Sequence, residues 1–198
     1  MAYIFAILLG YFLGCSSFAY YISKLKKIDI RQFGSKNLGA ANSTYVLGWK
    51  YGVMVGIHDI GKAIIAVLLT KHLFPDAHYA TATAGVACVI GHIFPPPLKF
   101  KGGKGFASFL GLTIALNWKC ALIAVILLVA ISLITDYLVM GTFATVSMVP
   151  IYMGFTSKNP VLPLIILIAS VVIFLRHREN IPRMLNGTEI GIRSVFKK

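Results

Sequence analysis

Residues 91–108 of the chain read GHIFPPPLKFKGGKGFAS, and the interpretation of every other segment depends on them. Three consecutive prolines end an apolar stretch here, because proline cannot continue a helix and forces the backbone into an extended form. Lysines and glycines then alternate: Lys99, Lys101, Gly102, Gly103, Lys104 and Gly105. Glycine lets the backbone approach a ligand closely and lysine supplies positive charge, so the pattern predicts a phosphate-binding loop. A basic loop that only orients the chain in a membrane is the simpler alternative.

The composition indicates a membrane protein. Of the 198 residues, 58% are hydrophobic and 13% are charged, and the mean hydropathy is +0.81. These values exclude a soluble domain and predict an all-helical polytopic membrane protein. The excess of 19 Lys and Arg over 6 Asp and Glu favours anionic lipid headgroups or phosphorylated substrates as partners, and not nucleic acid.

The cysteines and histidines predict neither disulfides nor a metal site. Three cysteines occur singly in apolar segments, and five histidines are dispersed along the chain without paired carboxylates. We therefore expect no metal and no cofactor. We also expect one integral membrane domain over residues 1–198, acting as a monomer.

Seven apolar segments are candidate membrane spans. They cover residues 2–22, 51–74, 79–98, 106–116, 119–135, 137–155 and 160–175. The first has no basic region before it and no clear cleavage site, so we interpret it as a retained span. The count depends on residues 106–135, because one helix of that length would measure about 45 Å against a hydrocarbon core of about 30 Å.

The charge distribution favours two spans within residues 106–135, and so seven in total. Fifteen of the 19 Lys and Arg lie in residues 23–50, in the glycine-rich loop and in the tail from Arg176. Seven spans place these three segments together in the cytoplasm, as the positive-inside rule requires, with the N-terminus outside. Six spans would place the tail opposite the two loops.

In chain order the first polar motif, FGSKNLGAAN, occupies residues 33–42 in the first loop, and residues 91–108 are the second motif. Ser35, Asn37 and Asn42 can form a tight turn that offers hydrogen-bond donors to an oxyanion, and Arg31 can fork onto a phosphate. An ordinary turn rich in glycine and asparagine explains the same residues equally well.

A third motif, RHRENIPRMLNGTE, occupies residues 176–189 in the tail. His177 and Asn180 are three residues apart and share a face if the last helix continues through them. A solvated histidine at the membrane interface is the alternative.

Asp59 and Lys62 are ionisable residues inside the second span. Such groups are costly in a bilayer unless they pair or face a polar cavity, and their spacing lets them pair on a helix. A tilted span that brings both to the interface is the alternative. A transporter or channel for phosphorylated solutes would use such residues too, but it predicts polar groups on both faces of the membrane. A non-catalytic lipid-binding scaffold would leave the clustered Ser, His and Asn without a role.

The three motifs together resemble those of the bacterial acyl-phosphate-dependent glycerol-3-phosphate acyltransferases (PlsY), over essentially the whole chain. The matching segments are GSKNLGAAN, GHIFPPPLKFKGGKGFAS and RHRENIPRMLNGTE. The resemblance implies a seven-span enzyme of the bacterial inner membrane with its active site facing the cytoplasm. It implies acyl transfer from acyl phosphate to the 1-hydroxyl of glycerol-3-phosphate, a step of phospholipid biosynthesis, without a cofactor.

The resemblance, together with the residue chemistry, also assigns individual roles. The expected catalytic residues are Ser35, Lys104, His177 and Asn180. The residues expected to bind substrate phosphates are Arg31, Asn37, Asn42, His92, Lys101, Gly102 and Gly103. Asp59, Lys62 and Glu189 are expected to support them. An acyl phosphate is already activated, so we expect direct transfer in a ternary complex without a protein nucleophile.

The chain departs from the family pattern in the first motif. Lys36 and Ala41 stand where Gly and Thr are usual, and Tyr45 and Trp49 stand near positions that are usually basic. A phosphate contact has therefore been lost, or has moved to Lys36 or Lys50. A weakened activity and a different phosphorylated substrate remain alternatives at this point.

Overall fold

A computed structural model of the chain describes residues 1–157 and 159–196. Over these residues the only regular elements are helices, as the composition predicts. The chain divides into two compact units, Met1–Leu116 and Asn117–Lys198, and each unit is described by itself.

The first unit contains six α-helices and two short 3-10 helices. In chain order they are α1 (Ala2–Cys15), α2 (Phe18–Leu25), the 3-10 helix Ile30–Gln32, α3 (Ala40–Leu47), α4 (Trp49–Leu73), α5 (Ala80–Ile93), the 3-10 helix Pro96–Leu98 and α6 (Phe106–Leu116). The helices of the second unit are α7 (Trp118–Thr135), α8 (Leu138–Ser157), α9 (Val161–His177), α10 (Asn180–Leu185) and α11 (Ile192–Phe196). The polar loop between the first two predicted spans contains the 3-10 helix Ile30–Gln32 and α3.

Small residues let α1 and α5 pack with their backbones close together. A methyl group added at Gly10 or Gly14 of α1 would overlap the carbonyl oxygens of Ala84 or Cys88 on α5. The same change at Gly91 would overlap the carbonyl oxygen of Tyr11. Gly10 and Gly14 form the small-xxx-small pattern that is typical of helix contacts in membranes, where close approach replaces the hydrophobic driving force.

The first predicted span is broken in two. α1 ends at Cys15, Ser16 is extended, and the hydroxyl of Ser17 caps α2 by accepting from the amide of Tyr20 over 3.3 Å. A break leaves backbone carbonyls without helical partners, which is costly away from water unless another group binds them. The side chain of Lys62 is that group: its Nζ donates to the carbonyls of Gly14 and Ser16 at 3.0 and 2.7 Å.

Two helices cover residues 106–135, which confirms that this segment is not a single helix. The side chain of Asn117 accepts from the amide of Cys120 over 3.0 Å and so starts α7 as a separate helix. Five segments are long and apolar enough to cross a membrane: Ala2–Leu25, Trp49–Leu73, Ala80–Leu98, Trp118–Thr135 and Leu138–Ser157. The helices α6 and α9 are apolar but shorter. At 11 residues, α6 is about 16 Å long, which is less than the hydrocarbon thickness.

Candidate active site

Asn42 organises the first polar motif. Its Nδ2 donates to the carbonyls of Ile30 and Asn37, each at 2.9 Å, and its Oδ1 accepts from the amide of Ser35 at 2.9 Å. The side chain is buried, at 2% exposure. Both of its N–H donors are therefore used inside the protein, so the expectation that Asn42 binds a substrate phosphate is corrected to a role in shaping the turn.

The turn held by Asn42 presents Ser35 at its tip. Gly34 and Lys36 on either side have φ of 58° and 55°, in the left-handed region that residues other than glycine adopt at a cost. Ser35 and Asn37 are half-buried and Lys36 is exposed. The left-handed backbone at Lys36 accounts for the glycine that is usual at this position in the family that the chain resembles.

Arg31 is bound to Asp29 through two of its nitrogens. Its Nε and Nη2 each donate to the carboxylate at 2.9 Å. This hydrogen bonding lowers the pKa of the Asp29 carboxyl, and the carboxylate raises the pKa of the Arg31 guanidinium. A phosphate at Arg31 must therefore use the remaining N–H groups or displace a carboxylate that is charged at neutral pH.

The glycine-rich loop folds back onto the end of α5. The amides of Gly102 and Gly103 donate to the carbonyls of Ile93 and His92, each at 3.1 Å. A methyl group at Gly102 would overlap the carbonyl oxygen of His92, and one at Gly103 would overlap Nε2 of the His92 ring. These two amides are thus engaged within the protein, where the sequence had suggested donors for a phosphate. What the glycines provide is close approach of the loop to α5.

Lys104 stands at the start of α6, whose first turn carries amides without helical partners and the positive end of the helix dipole. Lys104 is half-buried and Lys101 is exposed. The hydroxyl of Ser108 in the first turn of α6 is fully buried and has no hydrogen-bond partner among the described residues. The start of α6 therefore combines a lysine with the helix features that favour an anion.

The two polar loops of the first unit share one apolar cluster. Ile30, just before the first motif, and Leu38 within it pack with Leu98 from the second motif, together with Ala19, Ile22 and Val55. Within this unit, the turn that carries Ser35 and the glycine-rich loop are therefore anchored on the same apolar cluster.

Asp59, Lys62 and His92 form a buried polar network. Lys62 Nζ lies 3.0 Å from Asp59 Oδ1 and 2.8 Å from His92 Nδ1, and all three residues are at most 5% exposed. His58 extends the network: its Nδ1 lies 3.2 Å from Asp59 Oδ1, and its Nε2 lies 3.0 Å from the hydroxyl of Ser16. The predicted pairing of Asp59 with Lys62 is confirmed.

In the second unit, His177 and Asn180 are both buried but do not lie on one continuous helix. α9 ends at His177 and α10 begins at Asn180. His177 Nδ1 lies 2.9 Å from the carbonyl of Ile173, and because a carbonyl only accepts, Nδ1 carries the proton. A neutral His177 therefore has its lone pair on Nε2.

Glu189 joins Asn180 to Arg183. Its carboxylate accepts from Asn180 Nδ2 at 2.7 Å and from Arg183 Nε at 2.8 Å. The supporting role of Glu189 stays a prediction, and these two contacts support it. Arg183 was not singled out from the sequence, although its Nη2 is buried without a hydrogen-bond partner in the described part of the chain. A buried guanidinium nitrogen in that state is a candidate ligand for an anion.

An apolar groove runs between α8 and α9 of the second unit. It encloses about 450 Å³ and is lined by residues that include Pro150, Leu164, Leu167 and Phe174. Its Phe174 end leads toward His177, since the ring of Phe143 lies 4.6 Å from Phe174 and 6.2 Å from His177, centroid to centroid.

Comparison with known proteins agrees with the three motifs. A family model described as glycerol-3-phosphate acyltransferase matches residues 4–187. The chain is 35% identical to glycerol-3-phosphate acyltransferase 1 of Oceanobacillus iheyensis, with 100% of this chain and 99% of that protein covered. It is 38% identical to glycerol-3-phosphate acyltransferase 2 of Thermotoga maritima, with 96% of each covered.

Two crystal structures of PlsY, an integral membrane glycerol 3-phosphate acyltransferase, have the same fold. The glycerol 3-phosphate form has a TM-score of 0.89 at 34% identity, covering 97% of this chain and 96% of that one. The lysophosphatidic acid form has a TM-score of 0.88 at 33% identity, covering 100% of both chains. The match in sequence and in structure extends over nearly the full length, and the chain belongs to the glycerol-3-phosphate acyltransferase family.

Proposed function

We propose that this enzyme transfers a fatty acyl group from acyl phosphate to the 1-hydroxyl of glycerol-3-phosphate, giving lysophosphatidate and inorganic phosphate. The observation that carries the proposal is that one solved relative, similar over nearly the whole chain, is described in both a glycerol 3-phosphate and a lysophosphatidic acid form. These are an acceptor and a product of the same transfer. Acyl phosphate as the donor rests on the resemblance of the three motifs to the acyl-phosphate-dependent enzymes.

The first unit supplies groups for the substrate phosphates. Lys104 at the start of α6 anchors the phosphate of glycerol-3-phosphate, assisted by Lys101 and by the field of the helix N-terminus. Ser35, at the tip of its turn, donates to the acyl phosphate, with Arg31 and Asn37 beside it. The glycines and Asn42 shape these two loops and leave phosphate binding to the side chains around them.

Within the second unit, the proposed catalytic residues are His177 and Asn180. The 1-hydroxyl oxygen attacks the acyl carbonyl carbon, the bond from that carbon to the phosphate oxygen breaks, and inorganic phosphate leaves. The hydroxyl proton passes to His177 Nε2 or to a phosphate oxygen of the substrate. Asn180, held by Glu189, orients a polar head group.

Purified protein with palmitoyl phosphate and glycerol-3-phosphate tests the proposal. We expect lysophosphatidate and inorganic phosphate to appear in equal amounts. Palmitoyl-CoA in place of palmitoyl phosphate is the donor control, and we expect little turnover with it. A rate with palmitoyl-CoA that equals or exceeds the rate with palmitoyl phosphate would refute the donor assignment.

We further propose seven membrane-spanning segments in the bacterial inner membrane, with the N-terminus outside and both polar loops and the tail in the cytoplasm. The distribution of Lys and Arg supports this arrangement, since 15 of 19 fall in those three segments. The short α6 and α9 would be the two segments added to the five long ones. We also propose that the protein acts as a monomer.

Single cysteines at Lys36, Lys101 and Thr188, in a variant without the three native cysteines, test the topology in intact cells. All three should be protected from a membrane-impermeant maleimide until the cells are opened, whereas a cysteine at Lys71 should react at once. Labelling at Thr188 from outside would mean that residues 106–135 do not cross twice, and the seven-span arrangement would be wrong.

The groove between α8 and α9 is the proposed place of the acyl chain. It is apolar, it ends near His177, and the eleven residues of α9 from Leu164 to Phe174 give it a length of about 15 Å. A chain lying there would have its activated carboxyl end beside the histidine.

Leu167→Trp should discriminate between acyl chain lengths. The larger ring narrows the groove and excludes about two methylene groups of the palmitoyl chain from it. Their loss costs about 1.6 kcal/mol, which corresponds to roughly a tenfold rise in KM for palmitoyl phosphate. The KM for octanoyl phosphate should change little. Leu122→Trp, at an exposed position on α7, is the matched control. Equal effects on both donors would place the acyl chain elsewhere.

A further inference from the structure

We infer that Asp59, Lys62 and His92 are positioning residues. They hold the glycine-rich loop in place from its buried side, and they affect the binding of glycerol-3-phosphate only by fixing the position of that loop. The inference rests on the proposed function, because it assumes that this loop binds the phosphate of glycerol-3-phosphate. It also changes the role expected for His92, from a phosphate ligand to a support.

One end of the His92 ring is fixed by Lys62. The four neighbours of Lys62 Nζ are Ser16 O, His92 Nδ1, Gly14 O and Asp59 Oδ1, at 2.7, 2.8, 3.0 and 3.0 Å. All four are acceptors for an ammonium group. Nδ1 of His92 also lies 3.4 Å from Asp59, but the shorter contact with Lys62 decides its state. Nδ1 therefore accepts, and the proton of a neutral ring is on Nε2.

The other end of the ring faces the backbone of Gly103. A methyl group at Gly103 would overlap Nε2 and crowd Cε1 and Cδ2, so the histidine occupies the space that any side chain at this position would need. His92 is only 4% exposed, and its own carbonyl accepts from the Gly103 amide at 3.1 Å. Both the ring and the backbone of His92 thus contact the residue directly before Lys104.

The network is anchored on three helices, which makes the support rigid. Lys62 belongs to α4, His92 to α5, Gly14 to the last turn of α1 and Ser16 to the break that follows it. If the His92 ring moved away from Gly103, Lys62 would lose its contact with the ring or would have to follow it and lose a backbone carbonyl. Groups that hold a binding loop in this way raise affinity by lowering the ordering needed when the ligand arrives.

A double-mutant cycle at residues 92 and 103 tests the inference, with the Kd of glycerol-3-phosphate measured by calorimetry in the absence of acyl donor. Gly103→Ala should raise the Kd by about 10- to 100-fold, since displacement of a positioned group by 1 Å has effects of this size. His92→Ala removes the ring that the new methyl group meets. The double variant should therefore bind more tightly than Gly103→Ala alone.

The opposite result would overturn the inference. If His92 contacts the phosphate directly, its removal adds to the damage, and the double variant binds no better than Gly103→Ala alone. Because binding is measured without turnover, a wild-type protein that binds glycerol-3-phosphate but transfers no acyl group would refute the proposed function while leaving this comparison valid.

The pair Asp59→Asn and Lys62→Gln provides a second test that does not depend on Gly103. Removing both charges avoids leaving one of them buried and unpaired, which is the costly change. We expect the Kd for glycerol-3-phosphate to rise about tenfold, with little change in kcat at saturation. Lys71→Gln, an exposed lysine on the same helix, is the control. An unchanged Kd in the folded double variant, checked by gel filtration, would contradict the positioning role.

Discussion

Ser35→Ala should lower kcat by about two to three orders of magnitude, which is the cost of removing one hydrogen-bond donor from developing charge. The turn around Ser35 is built to hold that hydroxyl. Asn42 binds the Ser35 amide at 2.9 Å, and the residues on both sides adopt left-handed backbone conformations. Glycine adopts this conformation without strain, whereas Lys36 does so at a cost, and such a strained residue is expected next to a side chain that acts on substrate.

Ser43→Ala is the matched control for this prediction. Ser43 lies on α3 in the same segment, is fully buried, and has no hydrogen-bond partner for its hydroxyl among the described residues. Its removal should leave kcat unchanged, because no bond is lost. Ser35→Thr should retain part of the activity through its remaining hydroxyl. Equal losses in Ser35→Ala and Ser43→Ala would mean that the segment tolerates no change and that Ser35 has no special role.

The kinetic pattern decides whether Ser35 only donates a hydrogen bond. A serine nucleophile needs an adjacent base, and within Met1–Leu116 no side-chain base is hydrogen-bonded to the Ser35 hydroxyl. We therefore expect intersecting double-reciprocal lines, as a ternary complex requires. Parallel lines, or an acyl adduct on Ser35 when acyl phosphate is supplied alone, would make Ser35 the nucleophile.

Lys104→Ala should raise the KM for glycerol-3-phosphate by one to two orders of magnitude, if its charge-assisted contact is worth about 1.5–3 kcal/mol. Lys104 is half-buried at the start of α6, so its ammonium group is screened less than an exposed lysine. The KM for acyl phosphate should change much less, because Ser35 and Arg31 are assigned to that substrate.

Lys119→Ala removes the same charge at a position outside all three motifs and is the control for a general electrostatic effect. We expect its KM values to match those of the wild type. If Lys104→Ala behaves in the same way with intact expression, the glycine-rich loop serves only to orient the chain in the membrane.

Local signals in the sequence account for most of the fold. Apolar segments and prolines predicted where helices run, the charge distribution predicted two helices within residues 106–135, and the Asp59–Lys62 pair follows from helix spacing. The break at Ser16 was not predicted, because its stability depends on Lys62, which lies 46 residues further along. α3 was missed because its eight residues are short and partly polar. Five long spans are found where seven were expected, so the number of crossings depends on α6 and α9.

The sequence identifies candidate residues of the site more readily than it assigns their roles. Asn42, Gly102 and Gly103 were chosen because they can donate to a phosphate. A sequence does not reveal which donors the fold has already used, and all three prove to be engaged with backbone carbonyls of their own unit. Arg183 and Ser108 show the reverse case, since Nη2 of Arg183 and the hydroxyl of Ser108 are buried without hydrogen-bond partners among the described residues.

The bond from Lys62 to the first helix has a consequence for biosynthesis. The carbonyl of Gly14 leaves the ribosome 48 residues ahead of the ammonium group that binds it. At about 5–20 residues per second, the carbonyls of the first segment stay without Lys62 for about 2–10 s. During insertion it must stay near water, lipid headgroups or the translocon, and it settles between its neighbours only when α4 has followed it into the bilayer.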